Sequence, residues 1–260
     1  MIAGDRQPFA LVASDVVPNL NLYSADATKY AAQYRYDEAG VRHDNITDWA
    51  LKQFSAHYKA VEPSPPPSPT GRGSKTGVRK IGKADIFHYC YAVLHDPVYR
   101  EKYAQNLKRE FPRIPFYPDF WCWADWGAEL MQLHIGFDAV TPFALARHDE
   151  PDLKARAAGL APKVLLKSDT AVGSILLDSE TTLRGVPPEA WAYKLGNRSA
   201  IDWVLDQHKE KKPKDPTIRE RFDTYRFADH KEQAVDLLRR VTTVSVQTVA
   251  LVQAMKAAAR

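Results

Sequence analysis

Residues Lys83 to Phe137 read KADIFHYCYAVLHDPVYREKYAQNLKREFPRIPFYPDFWCWADWGAELMQLHIGF, and three helical patterns follow one another within them. Ile86, Phe87, Cys90, Val93 and Leu94 recur at intervals of three and four, which predicts a helix from Lys83 to His95 with one apolar stripe. Asp96-Pro97 opens a second helix: the carboxylate accepts free backbone N–H groups, and proline takes the first helical position without losing a useful donor. Tyr99, Tyr103 and Leu107 are expected on its inner face, with Arg100, Lys102, Lys108 and Arg109 outside. Pro112 and Pro115 end it and force an extended connector. A third helix from Asp119 to His134 turns Phe120, Trp123, Leu130 and Leu133 inward. Helices this rich in aromatic residues bury one another first, so residues 83 to 137 are expected to form a helical core.

Toward the N-terminus, the valine-rich run Phe9 to Val17 reads as a buried strand and Tyr34 to Asp37 as a second. Asn45 or Thr47 caps a helix that runs through Trp49, Leu51, Phe54 and Tyr58. Residues Glu62 to Gly82, EPSPPPSPTGRGSKTGVRKIG, are rich in proline, serine and glycine and are expected to be a flexible insertion. Past Phe137, the segment to Pro162 reads as loop with one helical turn. Lys163 to Leu166, Ser174 to Asp178 and the following TTLRGVP form a small antiparallel hairpin or meander. Pro187-Pro188-Glu189 is a turn and Trp191 to Leu195 a strand; Gly196-Asn197-Arg198-Ser199 then turns into a helix carrying Ile201, Trp203, Val204 and Leu205. Two C-terminal helices are expected, the first capped by Asp229 and the second from about Val244 to Met255. The class is α+β, with a helical core, a small antiparallel sheet over residues 161 to 195 and helices closing the C-terminal end.

The 260 residues are 45% hydrophobic and 26% charged, an ordinary globular balance, and the formal charge of +4 permits an anionic partner without demanding one. Cys90 and Cys122 both sit among apolar residues of expected helices, so they describe no disulfide framework and suit a reducing, cytoplasmic setting. No window reaches the length of apolar sequence that a membrane span needs, and the protein is expected to be soluble.

Catalytic patterns do not form. GRGSKT resembles a phosphate loop, yet serine separates Gly73 from Lys75 and a proline stretch replaces the preceding strand. His88 and His95 share a helix without paired ligand spacing, so no metal site is expected, and His134 reads as a structural histidine. Asp96-Pro97-Val98-Tyr99 approaches the Asn/Asp/Ser-Pro-Pro-aromatic turn of nucleic-acid amino-methyltransferases, but valine replaces the second proline and the turn opens a helix. A cap is the simpler reading. Basic residues interleave with aromatics in YREKYAQNLKREFPRIPFY and in WAYKLGNRS, a pattern that can follow a phosphate backbone and offer polar groups to base edges.

Four blocks carry a resemblance: VPNLNLYSADATKY, YRYDEAGVRHDNITDWALKQF, KADIFHYCYAVLHDPVYREKYAQNLKREFPRIPFYPDF and YKLGNRSAIDWVLDQHKEKKPKDPTIRERFDTYRF. In order and over most of the chain they resemble the C-terminal specificity region of type ISP restriction-modification enzymes, which fuse nuclease, translocase, methyltransferase and target recognition in one polypeptide. The resemblance implies one specificity domain, residues 1 to 260, that reads base edges of duplex DNA in the major groove, with no catalysis and no cofactor of its own. In that reading Asn197 and Arg198 have the chemistry to read adenine and guanine, and Lys108, Arg109, Arg113, Lys163 and Lys167 to hold phosphates. The rival is a protein-interaction module in which Trp121, Trp123 and Trp126 dock a separate methyltransferase or translocase subunit; an exposed tryptophan patch favours it and burial counts against it. A methyltransferase built on the Asp96 turn is the third reading.

Overall fold

The structure is a computed structural model that describes residues 9–16, 29–59, 79–210, 214–222 and 225–260. They divide between two compact units: residues up to Ile135 together with Leu251–Arg260, and Gly136–Ala250. The first is mainly helical and the second carries the four-stranded sheet, so the α+β class holds.

In the first unit β1 (Tyr34–Tyr36) and β2 (Arg42–Asp44) form a two-stranded ribbon, followed by α1 (Asp48–Lys59), α2 (Lys83–Val93), α3 (Pro97–Lys102), α4 (Ala104–Arg109) and α5 (Phe120–Ile135). The expected helical core forms around α2 and α5. They come into close contact at Gly127, where a side-chain carbon would lie 1.8 Å from the His88 carbonyl oxygen; only a residue without one fits. Ile86, Tyr89, Trp123 and Leu130 fill the adjacent layers with almost no exposure. Helix α2 has no single apolar stripe: Tyr89, Tyr91 and Ala92 are buried as fully as Ile86 and Val93, whereas Phe87, Cys90 and Leu94 are only partly covered. Tyrosine rings bury at more than one angle here because their hydroxyls find partners, Tyr89 on the Pro115 carbonyl and Tyr91 on the His134 imidazole, which the three-four spacing of aliphatic residues does not register.

Other expectations need correction. The second helix breaks at Tyr103, whose backbone (φ −108°, ψ 20°) separates α3 from α4, and Tyr103 is exposed, not inward. Arg100 is partly buried because its guanidinium donates to the Leu94 carbonyl that ends α2. Trp49, at 70% exposure, leaves the packing of α1 to Phe54, Leu51 and Tyr58. Within Phe9 to Val17 there is a single bridge residue, Ala10, and no strand through residue 16; Val17 lies outside the described residues. So does the insertion at 62–82 through residue 78.

The second unit holds β3 (Ala146–Asp149), α6 (Leu153–Ala157), β4 (Val164–Asp169), β5 (Ser174–Asp178), β6 (Thr181–Arg184), α7 (Pro188–Ala192), β7 (Lys194–Leu195), β8 (Arg198–Ser199), α8 (Ala200–Gln207) and α9 (Pro216–Phe222). The sheet runs β3-β6-β5-β4, antiparallel throughout. Its expected meander is present, and β3 joins it where a loop was expected. ARHD lacks apolar alternation; it is an edge strand held by its ladder to β6 and by Arg147, which bridges Asp149 and Glu232. The strand expected at Trp191 to Leu195 begins only at Lys194, because Pro188 at the first helical position starts α7 and carries Trp191 into the core. Ile175, Leu177, Leu183, Ile201 and Leu238 form the centre of that core.

The two expected C-terminal helices are one, α10 (Phe227–Lys256). The β-branched run at its middle does not break it: Thr242, Val244 and Ser245 are buried, and the hydroxyls of Thr242 and Ser245 find partners inside the helix by donating to the carbonyls of Leu238 and Val241 four residues back. Residues from Leu251 on belong to the first unit. Among the described residues, no helix is long and apolar enough to cross a membrane.

Candidate nucleic-acid interface

In the second unit the chemistry gathers at the β7–β8 hairpin. Gly196 and Asn197 form its two-residue loop, Gly196 takes a left-handed backbone (φ 70°), and Leu195 pairs with Arg198. Asn197 and Arg198 are exposed at this tip. Beneath them Ser199 caps α8: its hydroxyl oxygen accepts from the Asp202 amide at 3.0 Å and donates to the Asp202 carboxylate at 2.7 Å. The other carboxylate oxygen takes a bond from Ser168 of β4, so hairpin, helix and sheet edge are tied together. The Arg198 guanidinium donates to Asp206 at 2.9 Å, and Lys209 holds the second oxygen of that carboxylate at 3.0 Å. These two cations, the lysine first, hold the Asp206 carboxyl below the usual carboxylate range. Arg198 is thereby fixed by one nitrogen, with other donors of its fork still available.

Lys163 immediately precedes β4 and Lys167 lies within it, and both are exposed. Between them Leu166 sits with φ 45°, a left-handed conformation rare for a bulky residue, and the register against β5 slips. Asn197 and Arg198 are therefore brought together with the Lys167 end of β4. Lys163 stands at the opposite end, where its backbone pairs with Ser179.

The first unit holds the other three candidates. Lys108 and Arg109 end α4, with Arg109 exposed and Lys108 partly covered. Arg113 projects with 92% of its side chain accessible, 3.5 Å from Glu110. The connector from Glu110 to Pro118 has no helix or strand of its own. Three tyrosine hydroxyls hold it from behind: Tyr99 donates to the carbonyl of Arg113, Tyr89 to that of Pro115 and Tyr58 to that of Tyr117, all at 2.7 to 2.8 Å. Carbonyls two residues apart in an extended chain point the same way, so one edge of the connector faces the protein. Phe111 stands out at 65% exposure with the Lys29 ammonium 4.8 Å from its ring. Sequence reasoning passed over it, although its place between Lys108-Arg109 and Arg113 was a usable signal.

The remaining candidates resolve as structure. Asp96 is fully buried; it accepts from the Val98 amide, from the Tyr117 hydroxyl and, through both oxygens, from Arg260 at 2.6 and 2.8 Å. It is a cap and an ion-pair partner with no access to a base. His134 accepts or donates at Nδ1 to the Tyr91 hydroxyl at 2.7 Å, and His95 packs beside both rings. Burial first, and the Arg100 charge after it, pushes the His134 imidazole down to about 4. The three tryptophans make no exposed patch: Trp123 is buried, Trp126 packs edge-on against it, and Arg79 covers Trp121 at 3.9 Å while pairing with Asp125.

The family model of the type ISP C-terminal specificity domain matches residues 1–237. The chain belongs to that family. The specificity domain is similar to solved structures of larger proteins. One is a DrdV–DNA complex seen by cryo-electron microscopy, 52% identical with a TM-score of 0.85 over 99% of this chain and 24% of that one. Two more share the fold at lower identity. The first is a nuclease-deletion mutant of the type ISP enzyme LlaGI with a DNA substrate mimic (23% identical, TM-score 0.66, 96% of this chain and 20% of that one). The second is the ATP-dependent type ISP enzyme LlaBIII bound to DNA (19%, TM-score 0.65, 97% of this chain and 15% of that one). This specificity domain thus spans about a quarter of the length of DrdV or less of the others. No curated protein matches it.

Proposed function

We propose that this specificity domain recognises a particular sequence in duplex DNA, for a restriction-modification system whose motor, nuclease and methyltransferase lie in other sequence. The observation that carries the reading is the 52% identity, across nearly the whole chain, to part of DrdV, a protein solved with DNA. Arg198, exposed on its hairpin and braced by Asp206, offers a fork to guanine O6 and N7; Asn197 beside it offers the matching pair for adenine. Lys163 and Lys167 hold phosphates in the same unit, and Lys108, Arg109 and Arg113 in the other. The two units act as one recognition domain in the cytoplasm, without catalysis of their own, and a methyltransferase or translocase polypeptide is their partner.

Selection from a randomised duplex library at about 50 mM salt, re-tested at about 200 mM, tests this. Enrichment of one motif, with affinity falling steeply as salt rises, is the expected result. Absence of any duplex binding at the lower salt sinks the reading. Arg198→Ala should cost roughly 1 to 3 kcal/mol and relax preference at a single guanine.

A further inference from the structure

The geometry points to Phe111 as an apolar DNA contact, packed against the sugars and base edges of the duplex while its basic neighbours hold the flanking phosphates. The inference rests on the DNA reading above and adds to it a contact of a different physical kind. With 65% exposure, the Phe111 ring leaves apolar surface that a partner would remove from water. Its surroundings select the partner. Lys29 lies over the ring, Lys108 and Arg109 precede it in sequence, Arg113 follows it, and the adjacent Glu110 already stands beside Arg113. A protein partner with an apolar pocket has no need of this much positive charge; a polyanion with an apolar interior does. Proteins that press against the minor groove place an apolar side chain against a base step amid such cations.

The backbone around the ring is built to hold it out. Pro112 and Pro115 limit the torsions of the connector, and the hydroxyls of Tyr99 and Tyr89 fix the carbonyls of Arg113 and Pro115 from behind. Little chain entropy then remains to be lost when DNA arrives, so the ring meets its partner preorganised.

An apolar contact and a phosphate contact leave different marks on salt dependence. Each neutralised phosphate contributes about 0.9 to the slope of log K against log salt, whereas a ring contributes affinity and no slope. The test is a salt titration of the full chain, by fluorescence anisotropy, on the duplex that selection enriches. Phe111→Ala should bind roughly tenfold more weakly at every salt with the slope unchanged. Phe111→Tyr should retain most of the affinity, and Arg109→Ala or Arg113→Ala should each lower the slope by about one. If Phe111→Ala binds like the wild type, or lowers the slope as the arginine variants do, this inference is overturned while the DNA reading stands. If the wild type binds no duplex, both fall together. The exposed position predicts an unchanged melting temperature for Phe111→Ala, which separates lost contact from lost fold.

Discussion

Gly127→Ala isolates the approach of α2 to α5. The added carbon would lie 1.8 Å from the His88 carbonyl oxygen, 2.5 Å from its carbon and 3.2 Å from the Ala92 nitrogen, all of them backbone atoms. No rotamer relieves a clash with backbone, so the helices must separate by roughly 1.5 Å to restore a normal contact. A gap of 0.5 to 1 Å already forfeits about a quarter to a half of a dispersion well. The layer of Ile86, Tyr89, Trp123 and Leu130 would therefore lose much of its packing. Overpacking typically costs about 1 to 3 kcal/mol, and this is the upper end of that range or beyond it. Replacing a mid-helix glycine returns about 1 kcal/mol of helix propensity. A net loss of about 2 kcal/mol or more follows, which lowers the melting temperature by roughly 4 to 8 °C or more in a chain of this size. Tryptophan fluorescence reports it, since Trp49, Trp121, Trp123 and Trp126 all belong to the first unit. Gln132→Ala, an exposed change on the same helix, is the control and should be near neutral. A Gly127→Ala protein within about 1 kcal/mol of wild type would refute the close-approach argument.

Arg260→Ala strands the carboxylate of Asp96 in the interior and should destabilise by about 3 to 5 kcal/mol; Asp96→Asn combined with Arg260→Met should recover part of that in thermal melts, and no recovery would mean the charge is not the cause. Acid should weaken the fold through its buried histidines. His134 and His95 both have imidazoles depressed chiefly by burial, so the unfolded chain takes up protons below about pH 6.5 while the folded His134 waits until about 4. Stability is then full above pH 6.5 and falls as pH drops through that window, by up to about 3 kcal/mol from His134 alone. Urea midpoints should lose less over the window in His134→Gln, and an unchanged loss would assign the effect elsewhere. Asp206→Asn removes the carboxylate that braces Arg198, and binding to selected duplexes should show weaker discrimination at the guanine that Arg198 reads; retained discrimination would make the brace irrelevant.

Much of the fold was legible because its signals are local. Asp96-Pro97 fixed a helix start that the structure places within one residue; Gly196 to Ser199 was legible as a turn into a helix, while the pairing of Arg198-Ser199 back onto Lys194-Leu195 that makes it a hairpin was not. What escaped depends on partners distant in sequence. Nothing within ARHD announces a strand; its ladder to β6 does. The continuity of α10 goes with burial of its middle, where threonine and serine hydroxyls find partners on the helix's own carbonyls, and a β-branched run conceals this. The partial burial of Arg100 follows from the end of the preceding helix. Among the candidate contacts, residue chemistry singled out Arg198 and Asn197, yet the brace from Asp206 appears only once α8 turns back on the hairpin. Nothing in the local pattern around Phe111 tells that its ring stays exposed; that depends on how the connector lies on the helices.

The connector held by three tyrosines has a bearing on solubility. An extended segment beside a helical core is ordinarily a liability, because its open side displays a row of amides and carbonyls on which another chain can zip up as a strand. Here the inward row is occupied by the hydroxyls of Tyr58, Tyr89 and Tyr99, and prolines at 112, 115 and 118 remove every third amide. A neighbouring chain meets a ladder with missing rungs, so the segment can stay extended and present its side chains without seeding aggregates.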